Sequence, residues 1–387
     1  MEIKIGPPVT GEDFFGRQKE LEYVWALIKG GNNLIFPSPR RDGKTSFALR
    51  ILEEARLSGW QTIDINLESC RNEQAFLEQF VSQLRNLSTW EKIKEKGNNL
   101  FELLSKFKPS VEAGGVKVSL EWNTHKREAY NQLKQLLNHD EPMLIFLDEV
   151  TVLLTSLMSD ENGHKETENF LHWLRGLRIE KNSKIKWILC SSVGIENFTH
   201  AYNLSATLND THRYELKSFS RKESEAMLDR LAQDNKIPLT IEHYEQILDK
   251  LHYFLPFFLQ LIFEKIKYLH EVEEVLLDVN IVNKAYQQLC RGDHFNTWVE
   301  RINLQYGGLS QKALGLLNHL CQAKNGIQRN SLLNHLIGKE PEIEKAENDL
   351  NRLLYMLSND GYLSEEEGFY RFRSPLLRDF WLQRFVK

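Results

Sequence analysis

Residues 35–49 read IFPSPRRDGKTSFAL, and this stretch decides how the rest of the chain is interpreted. The apolar run that ends at Pro37 predicts a buried strand, and the residues after Gly43 predict a helix. Gly43-Lys44-Thr45 therefore stands at a strand-to-helix turn, where loop N–H groups and the free N–H groups of the first helical turn converge. Such a turn predicts a phosphate-binding loop.

The residues of this loop have separate tasks. Lys44 would reach the β- and γ-phosphates of a nucleotide, and the Thr45 hydroxyl would ligate Mg²⁺. Gly43 lets the backbone approach closely where a Cβ would clash. Ser38 stands where the first glycine of such a loop is expected, and Pro39 biases it toward extended conformations. The predicted nucleotide-binding residues of the loop are Ser38, Pro39, Arg40, Arg41, Asp42, Gly43, Lys44, Thr45 and Ser46.

Asp42 is the loop residue whose chemistry opposes phosphate binding, because a carboxylate beside a triphosphate is repulsive. Arg40 and Arg41 can offset its charge, or its side chain can point outward. With either alternative, every group that would touch phosphate or Mg²⁺ is still present in the loop.

A second motif, LIFLDEV at 144–150, supplies the acids that such a loop needs. Asp148 stands at the tip of a predicted buried strand, where it would hold Mg²⁺ directly or through water. Glu149 would polarise the attacking water as a general base. The alternative is an acidic cap between a strand and a helix, but two motifs in this order favour a site that hydrolyses ATP.

Two further residues are candidates for sensing the γ-phosphate. The fourth predicted strand ends in Ser191-Ser192, where a hydroxyl, that of Ser192 in particular, could contact the nucleotide, and a helix cap is the alternative. Arg213 lies at the start of the fifth predicted strand and could reach the γ-phosphate of a neighbouring subunit as an arginine finger. That role requires oligomerisation, and a solvated arginine is the alternative.

Short apolar runs alternate with helical patterns up to about residue 218. The predicted strands are 33–38, 60–67, 143–150, 185–192 and 213–219. Their continuous apolar character is typical of a parallel sheet covered on both faces, so the fold class is α/β. Residues 108–122, KPSVEAGGVKVSLEW, alternate around Gly114-Gly115 and predict a hairpin inserted in this core.

The pattern after residue 218 is helical. A capped helix begins at Ser220, and a long apolar helical stretch is interrupted at Pro256. Helices near 310–322, 328–337 and 342–359 precede a strand, a turn and a strand, which is the order of a winged helix-turn-helix. The predicted domains are a core at 1–218, a helical lid at 219–303 and a winged helix at 304–387.

Composition restricts the class of protein. The 387 residues are 41% hydrophobic with a net charge of -5, which favours packed cores and gives no sign of nucleic acid or an anionic membrane as the main partner. No apolar run approaches the length that spans a bilayer. The four cysteines are far apart, which predicts buried free thiols in a cytoplasmic protein.

Several segments together resemble a known family. They are FFGRQKELEYV (14–24), PRRDGKTS (39–46), LIFLDEV (144–150), LHYFLPFFLQ (251–260) and GYLSEEEGFYRFRSPLLRDFW (361–381). In this order they are similar to the archaeal-type ATPase family, within the STAND branch of the AAA+ superfamily. The resemblance covers nearly the whole chain and implies a P-loop AAA+ core with a parallel sheet, an α-helical lid and a winged helix-turn-helix.

The resemblance also implies ligands. ATP or dATP would bind with Mg²⁺, and the base would lie near Phe15, Gly16 and Arg17. Pro256 matches a Gly-x-Pro element whose proline packs near the adenine, although Phe254 stands at the position of its glycine.

The winged helix of that family reports the nucleotide state and does not always bind DNA. Here the helix that would enter a major groove is acidic, as is the turn of the hairpin: Glu342, Glu344, Glu347, Asp349, Asp360 and Glu365 to Glu367 outnumber Lys345 and Arg352. An acidic face repels phosphates. Arg371 and Arg373 are the exception.

The sequence therefore predicts a slow ATPase that acts as a molecular switch, with another protein as partner and a homo-oligomer in the ATP state. The alternative is a DNA-associated ATPase of a mobile element or defence system, with the winged helix as the reader. Nucleic acid is possible but disfavoured, and no membrane is involved.

Overall fold

A computed structural model describes residues 1–37, 41–88, 115–138, 140–181, 183–191, 194–338 and 342–386, with the side chains of 115–124 left out. The chain divides into two compact units. The sheet unit comprises Arg17–Pro37 and the described residues of Lys44–Glu215. The helical unit comprises residues 1–16, 41–43 and 216–386.

The sheet unit is built on a five-stranded parallel sheet in the order β2-β3-β4-β1-β5. Its strands are β1 (Asn33–Phe36), β2 (Gln61–Asn66), β3 (Met143–Asp148), β4 (Ile185–Cys190) and β5 (Thr211–Arg213). Every residue of β1 and β3 is buried, as the continuous apolar runs require for strands covered on both faces. The first four predicted strands and their parallel arrangement are thus confirmed.

Helices cover this sheet. They are α1 (Gln18–Lys29), α2 (Lys44–Leu57), α3 (Glu73–Arg85), α4 (Gly115–Leu137), α5 (Val150–Met158), α6 (Gly163–Arg178) and α7 (Ile195–Ala201). Apolar residues of α3 to α7, among them Phe76, Leu133, Leu154 and Phe170, join strands β1 to β4 in one core.

The fifth strand is shorter than predicted, and it begins earlier. β5 pairs with β1 from Asn33↔Thr211 to Ile35↔Arg213, and the Tyr214 N–H still donates to the Ile35 carbonyl at 3.0 Å. Among the described residues, β1 ends at Phe36 and no strand is placed to pair with the residues after Tyr214. The prediction of a strand over 213–219 is therefore wrong.

The predicted hairpin is also wrong in its described part. Residues 115–122 belong to α4, and 108–114 lie outside the described residues. The alternation in this segment was ambiguous, since Val116 and Leu120 are also four residues apart, which is a helical spacing.

The helical unit begins with the amino-terminal segment. The amino group of Met1 pairs with Asp234, and the Lys4 backbone N–H donates to Gln260 Oε1 at 2.7 Å. Met1 and Ile3 pack against the same apolar core as the helices after residue 216. These contacts place residues 1–16 with the helices, while the domain boundaries at 218 and 303 stay predictions.

Helices of this unit follow one another closely. They are α8 (Arg221–Asn235), α9 (Ile241–Leu251), α10 (Pro256–Glu271), α11 (Asn280–Arg291) and α12 (Asn296–Gln305). The predicted cap is present, because Ser220 and Glu223 form a reciprocal capping box at the start of α8. Pro256 occupies the first position of α10, where the missing N–H of proline has no cost.

The carboxyl-terminal part has the element order on which the winged-helix prediction depended. Helices α13 (Ser310–Leu320), α14 (Arg329–Ile337) and α15 (Ile343–Asn359) precede the hairpin β7 (Leu363–Glu366) and β8 (Phe369–Phe372). The short strand β6 (Ile327–Gln328) adds to β8, and α16 (Pro375–Phe385) ends the unit.

Two smaller sequence predictions can be compared with the structure. All four cysteines are buried free thiols, as predicted. Within the described residues, no helix is long and apolar enough to cross a membrane.

Candidate functional site

The acidic motif and the phosphate-loop motif meet at the carboxyl edge of the sheet. Thr45, in the first turn of α2, donates its hydroxyl to Asp148 Oδ2 at 2.7 Å. Asp148 is the last residue of β3, and Asp148 Oδ1 accepts the Glu149 N–H at 2.9 Å. In parallel sheets, ligands bind outside the carboxyl ends of the strands. The residues predicted to hold Mg²⁺ thus contact each other directly.

The surroundings of Asp148 disfavour the negative charge of its carboxylate. It is only 5% exposed, and burial raises the pKa of its carboxyl, with the charge of Glu149 adding to the rise. Asp64, on the neighbouring strand β2, also has a raised pKa because of burial and then because of Asp148. Asp64 was not among the predicted site residues. A cation beside Asp148 would relieve this repulsion.

The donor set fits Mg²⁺, which prefers oxygen ligands and takes few of them from the protein. The Thr45 hydroxyl and the Asp148 carboxylate supply two oxygens, and phosphate oxygens and water would supply the others. Within the described part of the chain, no cluster of three or more His, Cys, Asp or Glu residues is placed to hold a metal by itself.

Glu149 has a special backbone conformation. Its φ of 54° and ψ of 38° lie in the left-handed region, which is uncommon for residues other than glycine. It directly precedes α5, and its Oε2 accepts a hydrogen bond from the Ser191 hydroxyl at 3.4 Å. Left-handed residues of this kind cluster at active sites.

Ser191 links two elements of the site. It follows β4, is almost fully buried, and its Oγ accepts the Thr151 N–H at 3.3 Å and contacts the Thr151 hydroxyl. The sequence prediction favoured Ser192, which lies outside the described residues. The only sequence signal for Ser191 was its place at the end of a buried strand.

We predict that Ser191→Ala slows ATP hydrolysis by about tenfold and leaves ATP affinity unchanged, since one orienting hydrogen bond is lost. Single-turnover hydrolysis and a nucleotide titration would separate the two effects. Ser159→Ala, at the end of α5, is the control, since Ser159 bonds only a neighbouring carbonyl in the described structure. Equal loss of affinity and rate in Ser191→Ala would contradict a positioning role.

Lys44 is the first residue of α2 and is largely buried. Its position puts it beside the free N–H groups of the first helical turn, which attract anions. Gly43 precedes it with a φ of 90°, a conformation that other residues rarely adopt. The local backbone therefore agrees with the predicted phosphate loop, of which Ser38, Pro39 and Arg40 lie outside the described residues and Ser46 is half-buried in α2.

Two loop residues belong to the helical unit. Arg41 has a left-handed φ of 67°, and its guanidinium lies 4.4 Å above the centre of the Phe257 ring. Asp42 is 1% exposed, so the alternative that its side chain points outward is wrong.

The predicted base-binding residues are divided between the helical unit and the sheet unit. Phe15 packs edge-on against Phe219 with ring centres 6.2 Å apart, and Gly16, with a φ of 70°, faces the same ring. Arg17 belongs to the sheet unit, where it is buried and pairs with Glu20 at 2.7 Å. Pro256 starts α10 in the helical unit. Their roles toward a nucleotide stay predictions.

Arg213 is the last residue of β5 and is paired in register with Ile35 of β1. Its half-exposed side chain pairs with Glu196 at 3.2 Å and with Glu215 at 3.8 Å. It is therefore accessible from outside the sheet unit but held by acids of its own chain.

Comparison with known proteins places the fold. No model of a protein family matches the chain, and neither does any curated protein. The Walker-type ATPase of Pyrococcus abyssi superposes with a TM-score of 0.67 at 17% identity, over 98% of this chain and 99% of that chain. The ORC2 protein of Aeropyrum pernix, solved in ADPNP–ADP complexes, gives 0.56 at 15% identity, over 96% and 95%. The chain has the fold of the AAA+ P-loop ATPases, with a helical carboxyl-terminal region.

Proposed function

We propose that the protein is an ATP-dependent molecular switch of the STAND type, which binds ATP or dATP with Mg²⁺ and hydrolyses it slowly. Its nucleotide state would control oligomerisation or the binding of another protein. The observation that carries this proposal is the 2.7 Å hydrogen bond between Thr45 and Asp148. It joins the two motifs that phosphate and Mg²⁺ binding require.

Each polar group of the site then has a role in binding or hydrolysing ATP. Lys44 and the free N–H groups of α2 bind the phosphates, and Thr45 and Asp148 would hold Mg²⁺ against them. When bound there, Mg²⁺ would supply positive charge that offsets the negative charge of the phosphates. Glu149 accepts a proton from the attacking water, and the Ser191 hydroxyl orients the Glu149 carboxylate. The water attacks the γ-phosphorus, the bond to the bridging oxygen breaks, and ADP and phosphate leave.

The partner we favour is a protein. Arg371 and Arg373, the two cations that could contact DNA phosphates, both interact with other groups of the helical unit. Arg371 pairs with Glu366. Arg373 donates to the Ser358 carbonyl at 3.3 Å and lies over the Tyr253 ring at 5.8 Å. The exposed positions of α15, including Glu344 and Glu347, keep the surface acidic. Phosphate contacts would have to break these bonds first.

Oligomerisation would give Arg213 its role. In a ring or chain of subunits, the γ-phosphate of a neighbour would compete with Glu196 and Glu215 for the guanidinium. An arginine supplied in this way stabilises the charge of the transition state. Hydrolysis would therefore be faster in the oligomer than in the monomer.

The proposed switch is tested by comparing the oligomeric state of the protein in ADP with its oligomeric state in an ATP analogue. We expect a monomer with ADP and a larger assembly with a non-hydrolysable ATP analogue and Mg²⁺, measured by analytical ultracentrifugation of the full chain. Arg213→Ala is expected to assemble in the same way but to lose the rise of specific ATPase activity with protein concentration. Identical mass with both nucleotides would contradict the switch.

A further inference from the structure

Thr151 is a buried polar residue beside the acids of the sheet unit. It is the second residue of α5 and is 2% exposed. Its backbone N–H is one of the free N–H groups in the first turn of that helix, and it donates to Ser191 Oγ at 3.3 Å. The Thr151 hydroxyl also contacts the Ser191 hydroxyl. Thr151 therefore makes two contacts with the residue whose hydroxyl reaches Glu149.

The Ser191 hydroxyl has one proton and can accept two hydrogen bonds. One of its lone pairs takes the Thr151 N–H. The contact between the two hydroxyls can then be made in two directions, with either residue as the donor. Only one of these directions leaves the Ser191 proton for Glu149 Oε2, which lies 3.4 Å from Ser191 Oγ. The direction of the contact thus decides whether Glu149 receives a hydrogen bond from Ser191.

Burial favours one direction over the other. If Ser191 donated to Thr151, the Thr151 proton would need another acceptor, and among the described residues Ser191 is the hydrogen-bond partner of this hydroxyl. A buried donor that has no acceptor is costly. If instead Thr151 donates to Ser191 and Ser191 donates to Glu149, both protons have an acceptor. The second acceptor is a carboxylate, which forms a stronger hydrogen bond than a hydroxyl does when it is ionised.

We propose that Thr151 is a positioning residue for ATP hydrolysis, whose hydroxyl donates to Ser191 and thereby directs the Ser191 proton to Glu149. This inference depends on the proposed function, because Glu149 is the general base of that reaction. Hydrogen bonds that follow one another in this way polarise each other. The carboxylate of Glu149 is then held in one orientation relative to both α5 and the end of β4, and a fixed orientation favours proton transfer from the attacking water.

A purely structural role for the same contacts is the alternative. Ser191 also acts as a cap of α5, because its Oγ accepts the Thr151 N–H. That role uses the backbone of Thr151, which every substitution keeps, and leaves the direction of the Ser191 proton without consequence. The positioning role requires the Thr151 hydroxyl. Changes of the side chain therefore separate the two roles.

The test compares substitutions that keep or remove this hydroxyl. Thr151→Val removes it and keeps the branched shape, whereas Thr151→Ser keeps it and removes the methyl group. In single-turnover hydrolysis by the full chain with ATP and Mg²⁺, we expect Thr151→Val to be about tenfold slower than the wild type and Thr151→Ser to stay within about twofold. The affinity for ATP should be unchanged in both. Thr155→Val, at an exposed position four residues further along α5, is the matched control and should hydrolyse ATP as the wild type does.

Action through Ser191 is tested by a double-mutant cycle. Ser191→Ala already lacks the proton that Thr151 directs, so Thr151→Val combined with Ser191→Ala should be no slower than Ser191→Ala alone. Two independent effects would multiply to about 100-fold and overturn the inference. A wild-type rate for Thr151→Val, or an equal loss of rate in Thr151→Ser, would overturn it as well. If Thr151→Val does not fold, the comparison of Thr151→Ala with Thr151→Ser decides in the same way.

Failure of the proposed function gives a different result. In that case the wild type itself neither binds nor hydrolyses ATP, which removes the general base and the positioning role together. The results that overturn the role of Thr151 alone leave the wild-type ATPase intact, so the two failures are distinguishable.

Discussion

Lys44→Ala is expected to weaken the binding of ATP by about 100-fold or more, the largest effect of any single substitution in the phosphate loop. Lys44 is the first residue of α2 and is 6% exposed, so its side chain is largely shielded from solvent. Its alanine replacement leaves the helix N–H groups in place but removes the positive charge that we expect to contact the β- and γ-phosphates.

The measurement is a titration with a fluorescent ATP analogue in the presence of Mg²⁺. Lys19→Ala, on the exposed side of α1, removes the same charge from the sheet unit without touching the loop and should bind as wild type. The circular dichroism spectrum of Lys44→Ala should be native, because alanine is the best helix former. An affinity within a few-fold of wild type would remove Lys44 from the site and with it the interpretation of residues 35–49.

The sheet and its acids could be predicted from the sequence because a buried strand requires a continuous run of apolar residues, which is visible in the sequence. Strands covered on both faces need continuous apolar residues, which β1 and β3 supply, and acids are expected only at the ends of such strands. Asp148 therefore had to stand at the edge of the sheet. The order of the motifs along the chain then placed Thr45 opposite it, and the structure brings their oxygens to 2.7 Å.

The failed predictions concern segments whose pattern suits two structures. Residues 213–219 contain several residues that suit a strand, but a strand also needs a partner, and within the described residues β1 ends at Phe36. Length of the neighbouring strand is a tertiary property that local periodicity does not contain. In the same way, the residues of 115–122 alternate and also repeat at helical spacing, and the helix is the structure they adopt.

The choice between Ser191 and Ser192 could not be made from the sequence for a different reason. The sequence places Ser191 and Ser192 side by side after a strand, and only the three-dimensional structure distinguishes the one whose hydroxyl reaches Glu149.

Glu149→Gln is expected to retain ATP affinity and to lower the rate of hydrolysis by about 100-fold or more, the usual contribution of a general base. Glutamine has the shape of glutamate, and its carbonyl oxygen can still accept the Ser191 hydroxyl, which lies 3.4 Å from Glu149 Oε2. The left-handed backbone at Glu149 is unaffected by the change, because glutamine and glutamate have the same branching at Cβ. What is lost is the ability to take a proton from water.

Phosphate release under single-turnover conditions, beside an ATP titration, measures both quantities. Glu161→Gln, exposed after the end of α5, removes the same charge from the sheet unit and is the matched control. Hydrolysis by Glu149→Gln at the wild-type rate would contradict the assignment of the base. If the wild type itself releases no phosphate and is purified with ADP, the protein is a nucleotide-bound scaffold, and the Thr45–Asp148 contact then serves retention of the nucleotide rather than its turnover. If Glu149 is the base, the Glu149→Gln protein should stay bound to ATP and remain in the assembled state. The wild type should keep that state only until it hydrolyses ATP, because product formation is the step that resets the switch.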